Sequence, residues 1–519
     1  MNTAKFLSIP ASLFPDAEIL VCEDTRLTYG QVLERVRRLA SSLRALGITP
    51  GERVAILQTN SHQYIEAYYA TATLGATFVP LNYRAKLSEL AYMVTTAQAK
   101  ALFVGERYLD LVMRLRPQLS SVRHYITMET SRPDMLSYEA LVGKGSADLD
   151  DAAVDEGDVS ILMYTSGTTA LPKGVMLTYG DFTSYVVGTV EMIDGSPRGT
   201  FLLCAPLYHI AGTASIMTSL WAGRKIVVLR QFEPRSWLAA IQKERVTHAF
   251  VVPTMMKQLI DHPDFSLFDL SSLRNLAYGG APMPFPVIRR AIEMFPKTVG
   301  FVNAYGQTET TSTLTVLGPE DHRLDGPPQE VERTLKRLSS VGKPLPDVEV
   351  RVLNDDNHPL PPYQIGEIVI RTTREMKGYA GAEHAAADDV LDAEGWLHTR
   401  DMGYLDADGY LYLVGRKDDI IIRGGENIAP AEIEAVLHTH PAVDETAVIG
   451  VPDEEWGQKV VAFVVLRPQA TASPAELSEF CRQRLASFKK PERICIVAEL
   501  PKNPLGKILR GDLRARYAP

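Results

Sequence analysis

The sequence predicts an α/β protein whose large N-terminal domain has parallel-rich sheets flanked by helices. Helical and strand patterns alternate from the N-terminus, as expected of parallel strands joined by crossover helices. The chain has 519 residues, which is too long for one hydrophobic core. A compact α+β pattern then starts afresh near residue 417. We therefore expect a second, small and mobile domain at the C-terminal end.

The first elements show the alternation clearly. Thr28 and Gln31 have the spacing of a capping box, and apolar residues recur behind them at helical intervals. Residues 53–57 then form a short apolar run typical of a buried strand. We expect a helix over residues 61–74 and another strand over residues 76–80.

Further along, the pattern is less regular. Residues 159–163 and 249–253 are short apolar runs and are predicted to be buried strands. The mixed charges of residues 319–336 predict an exposed loop. Short strands such as residues 410–414 are assigned to a β-barrel-like subdomain at the end of the large domain.

We place the domain boundary after residue 416, which gives domains of residues 1–416 and 417–519. In the second domain, Pro430 is suited to the first turn of a helix. Residues 460–466 predict a strand, and residues 473–476 have the pattern of a capping box. About 100 residues are enough for an independent small domain.

Bulk composition excludes several classes of protein. The chain is 45% apolar and 23% charged, with a net charge of −9 and no strongly basic block, so nucleic acid is not an expected partner. The N-terminal residues lack a signal-peptide pattern, and no apolar run is long enough to span a membrane. The four cysteines are scattered, which favours reduced thiols and a cytoplasmic location.

Residues 164–174, YTSGTTALPKG, carry the strongest functional signal. Glycines let backbone N–H groups approach an anion, hydroxyls donate to phosphate oxygens, and Lys173 supplies a positive charge. The loop is not a Walker A motif, because Pro172 precedes the lysine and Gly174 follows it. The pattern therefore predicts a site for a nucleotide polyphosphate of another kind.

These eleven residues resemble the phosphate loop of the adenylate-forming superfamily. That superfamily includes acyl-CoA synthetases, adenylation domains of peptide synthetases and firefly-type luciferases. The resemblance extends from about Leu27 to Arg510, and Ala170 departs from it where the family usually has glycine. It implies ATP, Mg²⁺ and coenzyme A as the cofactors and a small-molecule carboxylic acid as the substrate.

The resemblance also implies roles for individual residues. Glu309 would bind Mg²⁺, Thr308 would contact the α-phosphate, and Lys507 would reach the substrate carboxylate. Lys173 and His209 complete the expected catalytic set. The residues expected to bind ATP or AMP are Thr165, Ser166, Gly167, Thr168, Thr169, Lys173, Gly279, Gly280, Ala281, Asn303, Tyr305, Gly306, Thr308, Asp401, Arg416 and Lys507.

Within this set, Tyr305 would stack on adenine, and Asp401 with Arg416 would bind the ribose. The family more often has Thr-Gly-Asp where this chain has Thr399-Arg400-Asp401, so Arg400 is a second departure.

A second half-reaction, in which a thiol attacks the adenylate, requires a second arrangement of the two domains. The resemblance implies a hinge at Asp418, since a few residues at the end of an element commonly absorb such a rotation. Residues expected to bind coenzyme A are Gly424, Gly425, Glu426, Trp456, Phe488 and Lys490.

The acyl pocket is expected to be small or apolar, with His209 at its mouth. Its expected members are Tyr185, His209, Ile210, Ala211, Val251, Gly280, Ala304 and Gly306. A buried substrate ammonium would need a carboxylate partner, and no Asp or Glu lies between Phe201 and Met217. An apolar fatty, aryl or alicyclic acid is therefore favoured over an amino acid.

The sequence thus predicts an ATP-dependent acid:CoA ligase that works through an acyl adenylate. Three alternatives stay open: an adenylating enzyme that loads a separate carrier protein, a non-catalytic nucleotide-binding regulator, and a luciferase-like oxygenase. No Asp-Ser-Leu motif follows Arg510, so we expect no fused carrier domain. The sequence does not name the acid, and a homodimer is one of the states it allows.

Overall fold

The computed structural model describes residues 1–165, 171–381, 390–424, 426–502 and 508–517. The α-helices of these residues are α1 Lys5–Leu13, α2 Tyr29–Ala45, α3 His62–Thr73, α4 Leu87–Ala97, α5 Leu109–Leu115, α6 Tyr138–Lys144, α7 Tyr179–Thr189, α8 Ile210–Ala222, α9 Pro234–Glu244, α10 Pro253–Ile260, α11 Phe285–Met294, α12 Pro328–Arg337, α13 Pro430–His438, α14 Pro474–Arg482 and α15 Arg510–Tyr517.

The strands of the large domain are β1 Glu18–Cys22, β2 Thr25–Thr28, β3 Arg53–Leu57, β4 Thr77–Pro80, β5 Ala101–Val104, β6 His124–Thr127, β7 Leu136–Ser137, β8 Val159–Thr165, β9 Lys173–Thr178, β10 Thr200–Leu203, β11 Lys225–Val228, β12 His248–Val251, β13 Asn275–Gly279, β14 Gly300–Gln307, β15 Ser312–Leu317, β16 Lys343–Pro344, β17 Val348–Leu353, β18 Gly366–Thr372, β19 Gly378–Ala380, β20 Leu397–Leu405 and β21 Leu411–Arg416. Those that follow are β22 Ile421–Arg423, β23 Glu426–Ile428, β24 Val443–Asp453, β25 Gly457–Leu466 and β26 Arg493–Ile496.

Two large sheets build most of the chain, and both are mainly parallel, as predicted. The first has the order β16-β15-β14-β13-β12-β10-β11-β1-β2, with parallel pairing from β14 through β1. The second has the order β19-β9-β8-β4-β3-β5-β6-β7, with parallel pairing from β8 to β7. One hydrophobic cluster joins α2, α3, α7 and α8 to strands of both sheets.

A third sheet, β17-β18-β20-β21, is antiparallel throughout and occupies the region predicted to be barrel-like. Strand β21 ends at Arg416, and a 3₁₀ turn, Lys417–Asp419, follows directly. Beyond this turn, β24, β25 and β26 form a separate sheet, which α13 and α14 cover with their own hydrophobic cluster. This is the α+β unit expected at the C-terminal end.

Local signals in the sequence set the ends of several helices. Thr28 caps α2 and Ser473 caps α14, each through the predicted capping box. Ser61 caps α3, so this helix begins one residue later than expected. The predicted strand over residues 249–253 ends at Val251, because Pro253 begins α10.

The expectation of a loop over residues 319–336 is wrong. The structure has a 3₁₀ turn at Pro319–His322 and helix α12 over Pro328–Arg337. No residue of α12 is fully buried, and its apolar face is short, with Val331 and Leu335 only half-buried and Leu335 packed against the neighbouring cluster. The sequence features that mark this helix are Pro328 at its first position, Glu330 in its first turn and Lys336 in its last turn. An acidic residue at the start and a basic residue at the end both interact favourably with the helix dipole.

In the part of the chain that the structure describes, no helix is both long enough and apolar enough to cross a membrane.

Candidate functional site

The predicted phosphate loop lies between two paired strands. Thr165 ends β8 and Lys173 begins β9, and the two residues are partners in the antiparallel register. The loop therefore leaves and re-enters the second sheet at one point, close to the carboxyl end of a parallel strand, where ligands of such sheets bind. The predicted phosphate-binding residues Ser166, Gly167, Thr168 and Thr169 lie outside the described residues.

The adenine-side turn is at the carboxyl end of β13. Gly279 ends this strand, and a Cβ atom there would lie 2.2 Å from the carbonyl oxygen of Ala304. Gly280 follows with a φ of 78°, a backbone conformation that favours glycine, and Ala281 comes next. Any side chain at position 279 would thus push β13 and β14 apart.

Strand β14 carries the second nucleotide motif along its carboxyl end. Asn303 donates to the carbonyl oxygen of Ser340 over 3.2 Å. At Gly306, a Cβ atom would lie 1.7 Å from the carbonyl oxygen of Ser312, so only glycine fits. A 3₁₀ turn, Thr308–Thr310, follows the strand and presents Glu309.

Tyr305 and Asp401, predicted as adenine and ribose residues, are in direct contact. The Tyr305 hydroxyl donates to Oδ2 of Asp401 over 2.6 Å, and Nε2 of Gln307 donates to the same oxygen over 3.0 Å. Arg416 is the cross-strand partner of Asp401, and its Nε lies 2.8 Å from Oδ1. Burial and the Asp401 charge raise the pKa of Tyr305, which keeps the phenol protonated as a donor.

Glu309 lies beside a residue that the sequence analysis did not identify. The hydroxyl of Tyr379 donates to Oε1 of Glu309 over 3.0 Å. On the same tyrosine, the Nζ of Lys173 lies 5.1 Å from the ring centroid, within the range of a cation–π interaction. Tyr379 therefore contacts both the lysine predicted to bind the phosphates and the carboxylate predicted to bind Mg²⁺. No local motif marks it, since 70 residues separate it from Glu309.

The donor set at Glu309 fits Mg²⁺ held mainly by a substrate. Among the described residues, no group of three or more His, Cys, Asp or Glu could hold a metal ion by itself. Magnesium commonly takes one or two carboxylates, with waters and phosphate oxygens as its other ligands. Lys507, the other charged group predicted here, lies outside the described residues.

A buried arginine supports the segment after Glu309. Arg374 is 1% exposed and donates to the carbonyl oxygens of Thr310, over 3.1 Å, and Thr313, over 2.8 Å. Its Nε donates to Asp347 over 2.5 Å. These bonds fix a turn in which the residues at 311 and 312 have φ of 50° and 87°. Sequence reasoning missed Arg374, which is 64 residues away from Thr310.

Most of the predicted acyl-pocket residues lie around the start of α8 and the end of β14. Ile210 and Ala211 begin α8, and Ala304 lies on β14. Tyr185 projects from α7, with its hydroxyl 3.4 Å from Oγ1 of Thr313. Tyr185 and Ile210 pack against the same hydrophobic cluster.

Val251 is not brought together with them. It is fully buried in the cluster formed by α9, α10 and α11, on the other face of the first sheet. Phe250, one residue earlier, is half-buried against both clusters, including the one that contacts Tyr185, and its ring would lie 3.7 Å from a Cβ atom at Gly279. Successive strand residues face opposite sides, so the alternation along β12 was the signal that Phe250 is nearer than Val251 to Tyr185.

His209 immediately precedes α8 and is neutral at physiological pH. Burial lowers the pKa of its imidazole to about 3, and the nearby Arg84 contributes in the same direction. Its ring lies 4.3 Å from that of Tyr208. Among the residues that the structure describes, its Nε2 is buried with no hydrogen-bond partner. His209 thus adds a neutral polar atom to the predicted acyl-pocket residues, which also include the Tyr185 hydroxyl.

Part of the predicted CoA surface comes together around Arg423. This guanidinium lies 5.5 Å from the ring centroid of Trp456 and donates to the carbonyl oxygen of Phe488 over 2.9 Å. Gly424 takes a φ of 56°, and a Cβ atom there would lie 3.0 Å from the indole. Trp456 is 45% exposed, which leaves a ring face open to solvent.

The other predicted CoA residues are less informative. Glu426 is exposed at the start of β23, Lys490 is half-buried, and Gly425 lies outside the described residues.

The predicted hinge residue Asp418 accepts hydrogen bonds from two arginines, one before it and one after it in the chain. Arg400 donates to it from β20, with Nη2 at 2.5 Å from Oδ1 and Nε at 3.2 Å from Oδ2. Arg514 of α15 donates to its carbonyl oxygen over 3.4 Å and to the carboxylate of Asp419 over 2.6 Å. The backbone at Arg400 has a φ of 58°, which explains why glycine is common at this position in the family it resembles.

Comparison with known proteins agrees with this geometry. Residues 9–380 match the family described as AMP-binding enzyme, and residues 432–507 match the AMP-binding enzyme C-terminal domain. A feruloyl-CoA synthase from Amycolatopsis sp is 36% identical over 508 residues, which are 98% of this chain and 97% of that protein.

Two further relatives show the range of acceptors and acids. The fatty acid--[acyl-carrier-protein] ligase ScoC from Streptomyces coeruleorubidus is 33% identical over 97% of this chain and 94% of its own length. The solved structure of the anthranilate CoA ligase AuaEII in complex with anthranoyl-AMP has a TM-score of 0.88 and 27% identity, and the match covers 100% of this chain and 97% of that one.

Proposed function

This chain belongs to the AMP-binding enzyme family, and on that premise we propose that it is an ATP-dependent acid:CoA ligase for an apolar carboxylic acid. The observation that carries the proposal is the arrangement along β14. Tyr305 is hydrogen-bonded to Asp401 of the Asp401–Arg416 pair near the carboxyl end of this strand. Just beyond it, Tyr379 donates to Glu309, and Lys173 lies over the Tyr379 ring. The two groups are suited to the ribose and the phosphates of one nucleotide.

In the first half-reaction, the substrate carboxylate attacks the α-phosphorus of ATP. A bond forms between the carboxylate oxygen and phosphorus, and the bond to the β-phosphate oxygen breaks, so that pyrophosphate leaves. Lys173 and the proposed Lys507 supply positive charge to oxygens that gain negative charge. Mg²⁺ bound at Glu309 would supply further charge neutralisation.

In the second half-reaction, the thiol of coenzyme A loses its proton to solvent and attacks the acyl carbonyl. The carbon–sulfur bond of the thioester forms, the acyl carbon–oxygen bond of the mixed anhydride breaks, and AMP leaves. We propose that residues 1–416 and 417–519 act as two domains that rearrange about Asp418 for this step. The exposed ring of Trp456, which packs against Arg423, offers a stacking surface for the nucleotide part of coenzyme A.

The acid is proposed to be uncharged beyond its carboxylate. The neutral imidazole of His209 and the rings of Tyr185 and Phe250 offer no charge to a substrate ammonium. We place aromatic acids first, ahead of fatty and alicyclic acids. The feruloyl-CoA synthase and the anthranilate ligase, which are similar along nearly the whole chain, support this order.

Loading of a carrier protein is the second candidate, because ScoC is also similar along nearly the whole chain. Both candidates share the adenylation step and differ only in the thiol that accepts the acyl group.

ATP–pyrophosphate exchange with a panel of cinnamic, benzoic, fatty and alicyclic acids tests the adenylation step. We expect exchange that depends on one class of acid and on Mg²⁺. Exchange driven by amino acids alone would contradict the assignment of the pocket.

A further inference from the structure

Tyr379 lies where the two large sheets meet. It is on β19, the edge strand that pairs with β9, and its register partner is Val175, two residues beyond Lys173. Just before β19, the backbone N–H of Met376 donates to the carbonyl oxygen of Glu309 over 2.8 Å. The short segment of residues 376–380 is therefore bonded both to the strand of Lys173 and to the turn of Glu309.

The side chain of Tyr379 contacts the same two elements. Its hydroxyl donates to Glu309 over 3.0 Å, and its ring lies under the ammonium of Lys173 at 5.1 Å. In the described residues no ion pair joins Lys173 to Glu309 directly, and each of them contacts Tyr379 instead.

We propose that Tyr379 is a positioning residue that holds the Glu309 carboxylate and the Lys173 ammonium apart and in place before the nucleotide binds. Both side chains are long and rotatable, and opposite charges so close would pair directly if nothing lay between them. A direct pair would have to be broken before either group could bind phosphate or metal. The inference rests on the proposed function, because it assigns a task at the same nucleotide site.

The two contacts of Tyr379 can be separated by substitution. Tyr379→Phe removes the hydroxyl and keeps the ring, so it affects Glu309 alone. Tyr379→Leu removes the ring as well and releases Lys173. Tyr410→Phe is the matched control, since the Tyr410 hydroxyl also donates to a carboxylate, Asp321, and Lys343 lies over its ring at 4.7 Å.

The first measurement is equilibrium binding of ATP by titration calorimetry with no acid present, once with Mg²⁺ and once with a chelator. For Tyr379→Phe we expect the dissociation constant of MgATP to rise about tenfold, as for loss of one hydrogen bond to a charged group. Metal-free ATP should change less than twofold. Tyr379→Leu should weaken binding in both conditions, and Tyr410→Phe in neither.

The second measurement is a double-mutant cycle with Glu309→Gln. If Tyr379 acts through Glu309, Tyr379→Phe should have less than a twofold effect in the Glu309→Gln background. Wild-type affinity in Tyr379→Phe, or an undiminished effect in the Glu309→Gln background, would overturn the inference.

Failure of the proposed function would look different. Wild-type protein would then bind MgATP, and the Tyr379 variants would show the changes in dissociation constant given above. No acid, however, would support pyrophosphate exchange. A wild-type protein that binds no ATP would overturn both.

Discussion

The Tyr305 hydroxyl and the Asp401 carboxylate are hydrogen-bonded over 2.6 Å, although 96 residues separate them in the chain. Tyr305 lies on β14 of the first large sheet and Asp401 on β20 of the antiparallel sheet. Gln307 and Arg416 supply two more donors to the same carboxylate. Three donors thus fix the Asp401 carboxylate in place, which supports its proposed role as a ribose-binding residue.

Tyr305→Phe removes this bond while the ring and its packing remain. We expect the dissociation constant for ATP to rise about tenfold, because a hydrogen bond to a charged group contributes roughly 1.5–3 kcal/mol. The Michaelis constant for the acid should change little. Calorimetry with ATP and steady-state kinetics with the acid measure the two effects, and an unchanged ATP affinity would argue against a nucleotide at this carboxylate.

Arg374→Met should destabilise the protein by about 2–4 kcal/mol, because it leaves the Thr310 and Thr313 carbonyls without their buried donor and breaks the pair with Asp347. Pyrophosphate exchange should fall as well, since the turn after Glu309 loses its support.

Arg371→Met is the control, because Arg371 pairs with Glu349 on the surface at 43% exposure. It should change stability by less than about 1 kcal/mol. Urea denaturation compares the two variants, and equal midpoints would show that the buried contacts of Arg374 do not stabilise the turn.

At position 400, glycine should be tolerated better than alanine. The φ of 58° is unfavourable for a residue with a Cβ atom, and the pair with Asp418 is half exposed and contributes at most about 1 kcal/mol. Arg400→Ala loses the pair and keeps the strained backbone, whereas Arg400→Gly loses the pair and relieves it. We expect Arg400→Gly to be more stable by about 1 kcal/mol in urea denaturation; equal stability would contradict this explanation.

Stability should fall as the pH drops from 7 to 5, partly through His322. Nδ1 of this buried ring donates to the Gly318 carbonyl oxygen over 2.7 Å, and Nε2 accepts from the Tyr278 hydroxyl over 2.9 Å. Burial lowers its pKa from 6.5 to about 4.

The unfolded chain therefore binds a proton between these values that the folded chain does not. The stability that neutral His322 contributes is fully present above pH 6.5 and is lost as the pH falls to 4. At pH 5 the loss is on the order of 2 kcal/mol. Glu244, whose pKa the Arg26 hydrogen bond lowers to about 2, contributes only below pH 4.5.

Urea midpoints at several pH values measure this slope. It should be shallower in His322→Gln and unchanged in His358→Gln, where the histidine is on an exposed turn. Equal slopes of stability against pH in wild type, His322→Gln and His358→Gln would show that His322 does not contribute.

Sequence reasoning succeeded where a signal is local. The capping boxes at Thr28 and Ser473 act over four residues, and both begin the expected helices. Loop and strand-end motifs such as residues 164–174 and 303–310 likewise depend on neighbouring residues. Helix α12 was missed because its apolar face is only two half-buried residues, Val331 and Leu335, and its many charges resemble those of a loop.

The contacts that organise the site could not be predicted in the same way. Arg374 and Tyr379 reach partners 64 and 70 residues earlier, which only the packing of the two sheets brings near. Phe250 and Val251 differ by one position in a strand, and the face of each depends on the register with β10 and β13. Periodicity marks such alternation but does not say which face holds the ligand.

The most direct test of the central claim is the dependence of AMP release on coenzyme A, with the acid that drives pyrophosphate exchange. We expect one AMP and one acyl-CoA thioester per acid consumed, with little AMP formed when coenzyme A is left out. Pyrophosphate exchange without CoA-dependent AMP release would contradict a CoA ligase and favour a carrier protein as the acceptor. Absence of both exchange and AMP release with every acid would favour a nucleotide-binding regulator.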